Sequence, residues 1–339
     1  NRKARQRESK RTQNNTLNNQ RLSMLSRKKN QLFFDKISMK ELAENYGTPS
    51  FIYSEEKIKK NFRAVKRAFS SIPTDICFAV KANSNIGILQ LLARQGAGFD
   101  IVSGGELARV LKAGGDPTKI VFSGVGKQDW EILEGLYKKI RCFNVESAAE
   151  LEKIAQIANS GGYIAPVSLR VNPDIDAKTH PYISTGLAEN KFGINIENAE
   201  DLFQLAHEEP NLKVVGVDCH IGSQITEVEP FRASLDVLIK LVRRLSERGM
   251  TLSHIDIGGG VGIRYKDEKI INWAHLANDI KKSMGNMPQR LILEPGRSIV
   301  GDAGVLLSRV ILLKKNGQKN FAVVDAGMND LLRPALYGS

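Results

Sequence analysis

The stretch that decides the fold is Ile76-Cys77-Phe78-Ala79-Val80-Lys81-Ala82-Asn83, in which an apolar run is followed by a lysine. A run of this length predicts a buried strand. A lysine at the end of such a strand is unusual, because burial of an unpaired ammonium is costly and lowers its pKa unless another group compensates. A neutral amine can form a Schiff base, whereas a structural lysine extends its ammonium to water. Lys81 is therefore a candidate catalytic residue, and the structural alternative stays open at this point.

Apolar runs of similar length recur along the chain, and longer amphipathic stretches separate them. This alternation is typical of repeated strand–helix units. Ser147 and Glu150 form a Ser-x-x-Glu capping box, and apolar residues recur on one helical face of residues 235–245. A parallel (βα)8 barrel is the simplest closure, and a doubly wound open α/β sheet is the alternative. The eight runs are Ile76–Ala82, Phe99–Ser103, Ile120–Gly124, Cys142–Glu146, Val167–Asn172, Val214–Ile221, Leu252–Gly258 and Leu291–Pro295.

Polar residues and glycines collect at the carboxyl ends of these predicted strands. In a barrel the strand ends meet at one mouth, which is where barrels of this type place their active sites. This convergence favours the barrel over the open sheet. The residues concerned are Lys81, Ser103, Glu146, Asn172, His220, Gly258 to Gly260 and Glu294.

The pattern changes after the eighth run. Val305–Leu313 and Phe321–Val324 are rich in β-branched residues and have no helix-length segment between them, which predicts the start of a β domain. We therefore expect four segments: a disordered basic extension over 1–30, a segment over 31–60 that leads into the barrel and associates partly with the β domain, the barrel over 61–300, and the incomplete start of a C-terminal β domain over 301–339.

Most of the positive charge lies at the N-terminus. The formal net charge is +12, and residues 1–29 contain ten Lys or Arg against Glu8 alone. Such a polar segment cannot offset its ordering entropy by burial, so we expect disorder there. The rest of the chain is only weakly basic, so we do not expect nucleic-acid binding. Because Asn1 is not an initiator and Met24 would be a sensible start, we expect that residues 1–23 are not native.

The cysteines and the hydropathy of the chain indicate its environment. Cys77, Cys142 and Cys219 each lie in an apolar strand-like run, which predicts reduced core residues in a cytoplasmic protein. Cys219 and the adjacent His220 would point to opposite faces of a strand, so we expect no metal site. No stretch approaches the roughly 18 apolar residues of a membrane-spanning helix, so we expect no membrane partner.

Further strand ends carry residues suited to a phosphorylated aromatic cofactor. Gly258–Gly260 directly follow a strand, where backbone N–H groups can bind a phosphate without Cβ interference; a flexible turn is the alternative. Glu294 ends the eighth strand, and a carboxylate against a pyridine nitrogen keeps that nitrogen protonated. Arg297 can pair with a phosphate or a carboxylate, or simply with Glu294. His220 is placed to stack on a planar ring or to serve as an ordinary structural histidine.

Together these segments resemble the pyridoxal-phosphate decarboxylases built on an alanine-racemase-like barrel, and among these the diaminopimelate decarboxylase family. The similarity extends from about Phe33 to Tyr337 and follows one order along the chain. Its matching segments are Phe78–Asn83, Gly98–Glu106, Asn144–Ser147, Val171–Ile194, His220–Gln224, Glu294–Ser298 and Met328–Tyr337.

The resemblance implies roles for individual residues. Pyridoxal 5′-phosphate would be held covalently by Lys81, the catalytic residue, with His220 stacked on its ring and Glu294 facing its ring nitrogen. Ser223 and the three glycines would bind the phosphate. The implied cofactor-binding residues are Lys81, His220, Ser223, Gly258, Gly259, Gly260, Glu294, Gly296 and Arg297. The implied substrate-binding residues are Arg297, Arg333 and Tyr337.

The implied reaction is the decarboxylation of meso-2,6-diaminopimelate to L-lysine, the last step of lysine biosynthesis. A dicarboxylic diamino acid needs a cationic anchor for its distant carboxylate, and Arg333 is the main argument for it over ornithine. The alternatives are a related ornithine, arginine or carboxynorspermidine decarboxylase, or a catalytically silent homologue. The implied partners are a small amino-acid substrate and a second copy of the chain, in a homodimer with shared active sites.

The resemblance also concerns the C-terminus. Relatives continue past the segment that matches Tyr337 into a β domain, which supplies a cysteine and acidic residues to the partner's site and a tyrosine near the cofactor. This sequence ends at Ser339. We therefore expect that this chain as it stands has an incomplete site and lacks full activity.

Overall fold

The computed structural model describes residues 24–175 and 192–337, and these form two compact units. The larger unit is Ile58–Asp302, and the smaller combines the chain up to Lys57 with the chain from Ala303 onward. The segment boundaries expected from the sequence stay predictions. In chain order the strands are β1 (Leu25–Lys28), β2 (Gln31–Phe34), β3 (Ile37–Ser38), β4 (Ser50–Tyr53), β5 (Thr74–Ala79), β6 (Gly98–Ile101), β7 (Ile120–Phe122), β8 (Cys142–Val145), β9 (Ala165–Asn172), β10 (Ile194–Asn195), β11 (Leu212–Asp218), β12 (His254–Asp256), β13 (Arg290–Leu293), β14 (Gly304–Leu307), β15 (Val310–Asn316) and β16 (Lys319–Val324).

The larger unit is a closed barrel of eight parallel strands. The strand order is β9, β11, β12, β13, β5, β6, β7, β8, and β8 pairs with β9 to close the ring. The short β10 pairs with β9 outside this ring. Strands β6, β7 and β8 are buried along their whole length, as expected where helices cover one face and the barrel interior the other. The predicted (βα)8 barrel is confirmed, and the open-sheet alternative is wrong.

Helices connect the barrel strands, and most of them begin at a side-chain cap. Ser103, Ser147 and Asn272 accept hydrogen bonds from backbone N–H groups of the first turn. In the predicted capping box, the Glu150 carboxylate accepts a hydrogen bond from the N–H of Glu146 and not from that of Ser147, one residue later. The helices are α1 (Met39–Tyr46), α2 (Glu55–Ala68), α3 (Ile86–Arg94), α4 (Gly104–Lys112), α5 (Asp129–Lys138), α6 (Ala148–Gly161), α7 (Ile196–Glu208), α8 (Glu229–Glu247), α9 (Trp273–Met284), α10 (Arg297–Val300) and α11 (Arg333–Tyr337).

The side chains of the barrel core follow the predicted pattern. The apolar face of α8 is buried through Leu235, Leu238, Ile239, Val242 and Leu245. The three cysteines are buried and unpaired, as predicted. None of the helices in the described ranges has both the length and the apolar character needed to cross a membrane.

An ionic cluster joins strands at the amino end of the barrel, opposite the end that carries Lys81. Asp75 of β5 accepts hydrogen bonds from Arg290 of β13 at 2.9 and 3.0 Å and from Arg141, which precedes β8, at 2.8 Å. Burial alone would raise the pKa of Asp75, but the hydrogen bonds from the two arginines lower it to about 2. The carboxylate therefore stays charged at neutral pH and ties together three strand starts.

The smaller unit is built from antiparallel pairs. Strands β1, β2 and β3 form one sheet, β4 pairs with β14, and β15 pairs with β16. The β-rich runs predicted after the barrel are confirmed as strands, although the first of them is divided between β14 and β15. Strand β1 lies inside the segment predicted to be disordered, so that prediction is wrong for Leu25–Lys28, while residues 1–23 lie outside the described ranges.

Candidate active site

A cleft of about 530 Å³ opens at the carboxyl ends of the barrel strands. It brings together most of the predicted site residues, from segments more than 200 positions apart in the sequence. Gly258 and Gly259 lie outside its lining, in the turn that leads to Gly260. The predicted residues that line the cleft are Lys81, His220, Ser223, Gly260, Glu294, Gly296 and Arg297.

Two predicted substrate-binding residues belong to the other compact unit. Arg333 begins α11, and Tyr337 ends it. Their roles in substrate binding stay predictions. Part of the matching segment Val171–Ile194 falls on residues 176–191, outside the described ranges.

Lys81 lies in a single 3-10 turn that directly follows β5. Its Nζ donates a hydrogen bond to Asp100 Oδ2 at 2.5 Å, and half of its side chain faces the open mouth of the barrel. The surrounding protein disfavours the charge, but Asp100 and Glu294 outweigh this effect and raise the pKa of Lys81. Asp100 and Glu294 therefore compensate the charge of Lys81, a question that the sequence left open. The ammonium is the resting form of this side chain.

Asp100 is a site residue that the sequence argument passed over. It lies in β6, is fully buried, and its Oδ1 has no hydrogen-bond partner in the described parts of the chain. An acidic residue inside the apolar run Gly98–Ile101 was a usable signal, because a buried carboxylate requires a cation or donors nearby. Only the pairing of β5 with β6 shows that this cation is Lys81.

Arg170 is a buried cation of the barrel interior. Its Nη1 lies 3.0 Å from Glu146 Oε1, and its Nε lies 3.9 Å from Asp218 Oδ2. Burial disfavours the charged guanidinium, yet Asp218 and Glu146 raise the pKa of Arg170. This network spans β9, the end of β8 and the end of β11, and it supplies positive charge beside a group of buried acids.

Three of these acids approach one another closely. Carboxylate oxygens of Asp218, Asp256 and Glu294 all lie within 4.8 Å of one another. Each residue has one buried oxygen without a hydrogen-bond partner among the described residues. Burial and the neighbouring carboxylates raise the pKa of Glu294 and of Asp218 well above the usual range, and burial raises the pKa of Asp256 to about 7. The cluster therefore retains protons at neutral pH.

The variant Asp256→Asn is expected to make the stability of the cofactor-free protein less dependent on pH. In the folded state the cluster binds protons that the unfolded chain has released above about pH 4. The free energy of unfolding should therefore fall as the pH rises above about 4 and through the folded-state pKa of Asp256 at about 7. The asparagine removes one titrating group and one like charge from the cluster, so the fall should be smaller.

Chemical denaturation of both proteins at about pH 5 and about pH 8 measures this difference. Asp302→Asn, at the edge of the larger unit and outside the cluster, is the control and should behave as the wild type. An equal fall in the wild type and in Asp256→Asn would contradict the assignment of retained protons to the cluster.

The glycine turn has a conformation that other residues cannot adopt. Gly258 and Gly260 have φ angles of +68° and +105°, and a Cβ on Gly259 would lie 2.1 Å from the carbonyl oxygen of Glu294. The N–H of Gly258 donates to Asp256 Oδ1 at 2.8 Å, and that of Gly259 donates to His220 Nδ1 at 3.3 Å. The need for glycine is thus steric, and phosphate binding by these N–H groups stays a prediction.

His220 follows β11 and lines the cleft. Because its Nδ1 accepts the hydrogen bond from Gly259, the imidazole proton lies on Nε2. Burial and the positive charges of Arg170 and Lys81 lower the pKa of His220 well below its usual value. The ring is therefore neutral at physiological pH and presents an uncharged aromatic face.

Arg297 opens the short helix α10 at the rim of the cleft. Its Nη1 donates to Gln224 Oε1 at 3.1 Å, and its guanidinium carbon lies 5.9 Å from the centre of the Tyr265 ring. No carboxylate within the described ranges forms an ion pair with it, so the predicted alternative of a Glu294–Arg297 pair is not seen. Gln224 and Tyr265 also line the cleft, and no sequence pattern predicted a role for either of them.

Comparison with known proteins places this geometry in a family. The family profile described as pyridoxal-dependent decarboxylase, pyridoxal binding domain, matches residues 55–301. A diaminopimelate decarboxylase of Haemophilus influenzae is 52% identical over 311 residues, which cover 91% of this chain and 75% of that protein.

Solved structures agree with the sequence comparison. The crystal structure of diaminopimelate decarboxylase from Helicobacter pylori complexed with L-lysine has a TM-score of 0.86 and 46% identity, and the match covers 88% of this chain and 76% of that one. The crystal structure of diaminopimelate decarboxylase from M. jannaschii in co-complex with L-lysine has a TM-score of 0.88 and 40% identity, and the match covers 94% of this chain and 77% of that one. The chain therefore belongs to the diaminopimelate decarboxylase family of pyridoxal-dependent decarboxylases.

Proposed function

We propose that this chain decarboxylates meso-2,6-diaminopimelate to L-lysine and carbon dioxide with pyridoxal 5′-phosphate as its cofactor, the last step of lysine biosynthesis. The observation that carries the proposal is the convergence of Lys81, Glu294 and Arg297 on one cleft. They provide an amine, an acid and a guanidinium, which are the groups that this reaction requires of the protein. The names of the relatives supply the substrate, and two structural neighbours hold L-lysine.

The cleft fits pyridoxal 5′-phosphate. Glu294 Oε1 is buried and has no hydrogen-bond partner in the part of the chain that the structure describes, so it can accept from a ring N–H. Ser223 offers a donor to the phosphate, next to the glycine turn at Gly260. Lys81, which lines the same cleft, is the amine that would hold the cofactor.

When bound, pyridoxal 5′-phosphate supplies an electron sink for the breaking carbon–carboxylate bond. Lys81 Nζ provides the nucleophilic amine, and Asp100 Oδ2 at 2.5 Å is placed to take its proton. Burial and neighbouring carboxylates raise the pKa of Glu294, so this residue would hold a proton at the ring-nitrogen position. His220 would cover a face of the pyridine ring without adding charge. The residues of the cleft thus bind, orient and move protons.

Arg297 favours a substrate that carries a carboxylate away from the reacting centre. Its guanidinium is half-buried at the rim and has no ion-pair partner in the described residues, so it can receive an anionic group. Ornithine and arginine offer no second carboxylate. Arg333 remains the further anchor that the sequence predicts.

Turnover of purified protein supplemented with pyridoxal 5′-phosphate tests the proposal. We expect L-lysine and carbon dioxide from meso-2,6-diaminopimelate, and little product from ornithine, arginine or carboxynorspermidine. Turnover of one of those three without turnover of diaminopimelate would overturn the substrate assignment. If borohydride fixes no cofactor at Lys81, the chain is instead a catalytically silent homologue.

We also infer a homodimer with shared active sites and a cytoplasmic location. The dimer is what the resemblance of the sequence implies, and the location is supported by three buried cysteines that remain unpaired. Light scattering coupled to size-exclusion chromatography measures the first. Sharing of the sites is tested by mixing two inactive variants, each with a defect in a residue that a different subunit contributes to the site. If the sites are shared, mixed dimers would recover activity.

A further inference from the structure

Gln224 stands out at the rim of the cleft because of its backbone and its three hydrogen bonds. Its φ angle of +62° is in the left-handed region, which is uncommon for a residue other than glycine. Its Nε2 donates to the carbonyl oxygen of Ile263 at 2.5 Å, and its Oε1 accepts from the N–H of Ile263 at 3.2 Å. The same Oε1 accepts from Arg297 Nη1 at 3.1 Å. The amide therefore connects three segments of the cleft.

The hydrogen bonds to Ile263 duplicate a connection that the backbone already makes. The N–H of Ile225 donates to the oxygen of Gly260, and the N–H of Gly262 donates to the oxygen of Ile225, both at 2.9 Å. These two bonds hold the glycine-rich loop against the segment after β11 without any side chain. Among the described residues, the contact of Gln224 with Arg297 has no such backbone counterpart.

Arg297 depends on two neutral side chains for its orientation. Gln224 accepts its hydrogen bond, and Tyr265 lies against its guanidinium carbon. An acceptor without charge and an aromatic face orient a guanidinium while leaving its positive charge uncompensated. A carboxylate partner in the protein would orient it equally well but would compete with an incoming anion. This arrangement is suited to the reception of a ligand carboxylate.

We propose that Gln224 is a positioning residue that, together with Tyr265, holds the Arg297 guanidinium in place to receive the carboxylate that the amino-acid ligand keeps after decarboxylation. The proposal rests on the proposed function, because it takes L-lysine as the product. L-lysine retains that carboxylate. Cadaverine is the same diamine without it, so the two ligands differ in the group that Arg297 receives.

Gln224→Ala in the holoenzyme tests the proposal through ligand binding, without turnover. We expect L-lysine, measured as a competitive inhibitor and by equilibrium titration, to bind about tenfold more weakly, which corresponds to about 1.4 kcal/mol. The affinity of cadaverine and that of the apoprotein for pyridoxal 5′-phosphate should stay unchanged. For meso-2,6-diaminopimelate, KM should rise more than kcat falls.

Two further variants guard against an effect on folding. Gln224→Asn tolerates the left-handed backbone but is one methylene shorter, so it should lose L-lysine affinity in the same way. Gln95→Ala is the matched control, because Gln95 Oε1 accepts from Arg63 Nε at 3.0 Å at a site remote from the cleft. Its L-lysine affinity should equal that of the wild type.

Several outcomes would overturn the proposal. Equal losses for L-lysine and cadaverine would make Gln224 a purely structural residue, and a loss of cofactor affinity alone would assign Arg297 to the phosphate. If wild type converts diaminopimelate and binds L-lysine while Gln224→Ala matches Gln95→Ala, only this inference fails. If wild type does neither, the proposed function fails with it.

Discussion

Replacement of Lys81 by arginine is expected to abolish decarboxylation and leave the barrel folded. Arginine keeps a cation beside Asp100, but its guanidinium stays protonated and cannot serve as a nucleophilic amine. We expect kcat to fall by about 10³-fold or more. Steady-state L-lysine formation measures the rate. The mass of the protein after borohydride reduction should show no attached cofactor.

Alanine at the same position separates catalysis from stability. Lys81→Ala should be as inactive as Lys81→Arg, but it leaves the buried Asp100 without its cation and should therefore unfold at lower denaturant concentration. Lys153→Arg is the control, because Lys153 pairs with Asp129 on the outside of the barrel. An arginine variant that retains most of the wild-type rate would remove Lys81 from the chemistry.

Glu294→Gln is expected to lower kcat by about 10²-fold while preserving the shape of the cleft. The amide has nearly the same volume but cannot keep a proton at the ring-nitrogen position as the acid does. In the wild type, the buried Oε1 has no hydrogen-bond partner among the described residues. In the variant, either the amide oxygen or the amide NH2 group, which is a donor, would occupy its position. Rate measurements with saturating cofactor separate slower chemistry from weaker cofactor binding.

A matched glutamate variant completes this experiment. Glu229 lies on the surface of α8 in an ion pair with Arg232, so Glu229→Gln should retain the wild-type rate. If Glu294→Gln also retained it, a role for the acid in activating the cofactor would be ruled out. A rate loss that excess cofactor fully restores would limit Glu294 to cofactor binding.

The barrel could be predicted because its signals are local. Each apolar run, such as Ile120–Gly124, has the length of a buried strand, and the stretches between runs carry their own caps and apolar faces. The disorder predicted for residues 1–30 is wrong for Leu25–Lys28, because that prediction used composition alone. The pairing of Leu25–Lys28 with β2 depends on hydrogen bonds between strands, which composition does not report.

The candidate site was predicted only in part, for a related reason. Lys81 and Glu294 are conspicuous as charged residues at the ends of apolar strands. Asp100 and Asp256 lie inside short apolar runs and gain their importance from neighbours on other strands. Gln224 is an ordinary polar residue in the sequence, and its partner Arg297 lies 73 positions away.

The sequence by itself determined the order and type of the barrel elements and the reactive groups at their carboxyl ends, because hydrophobic period, caps and residue chemistry act over a few positions. The tertiary structure alone decided which charges compensate one another. The pairing of β5 with β6 brings Asp100 to Lys81, and the pairing of β11, β12 and β13 crowds Glu294 against other acids. Protonation depends on burial and on distances between charges, and only the folded chain sets these.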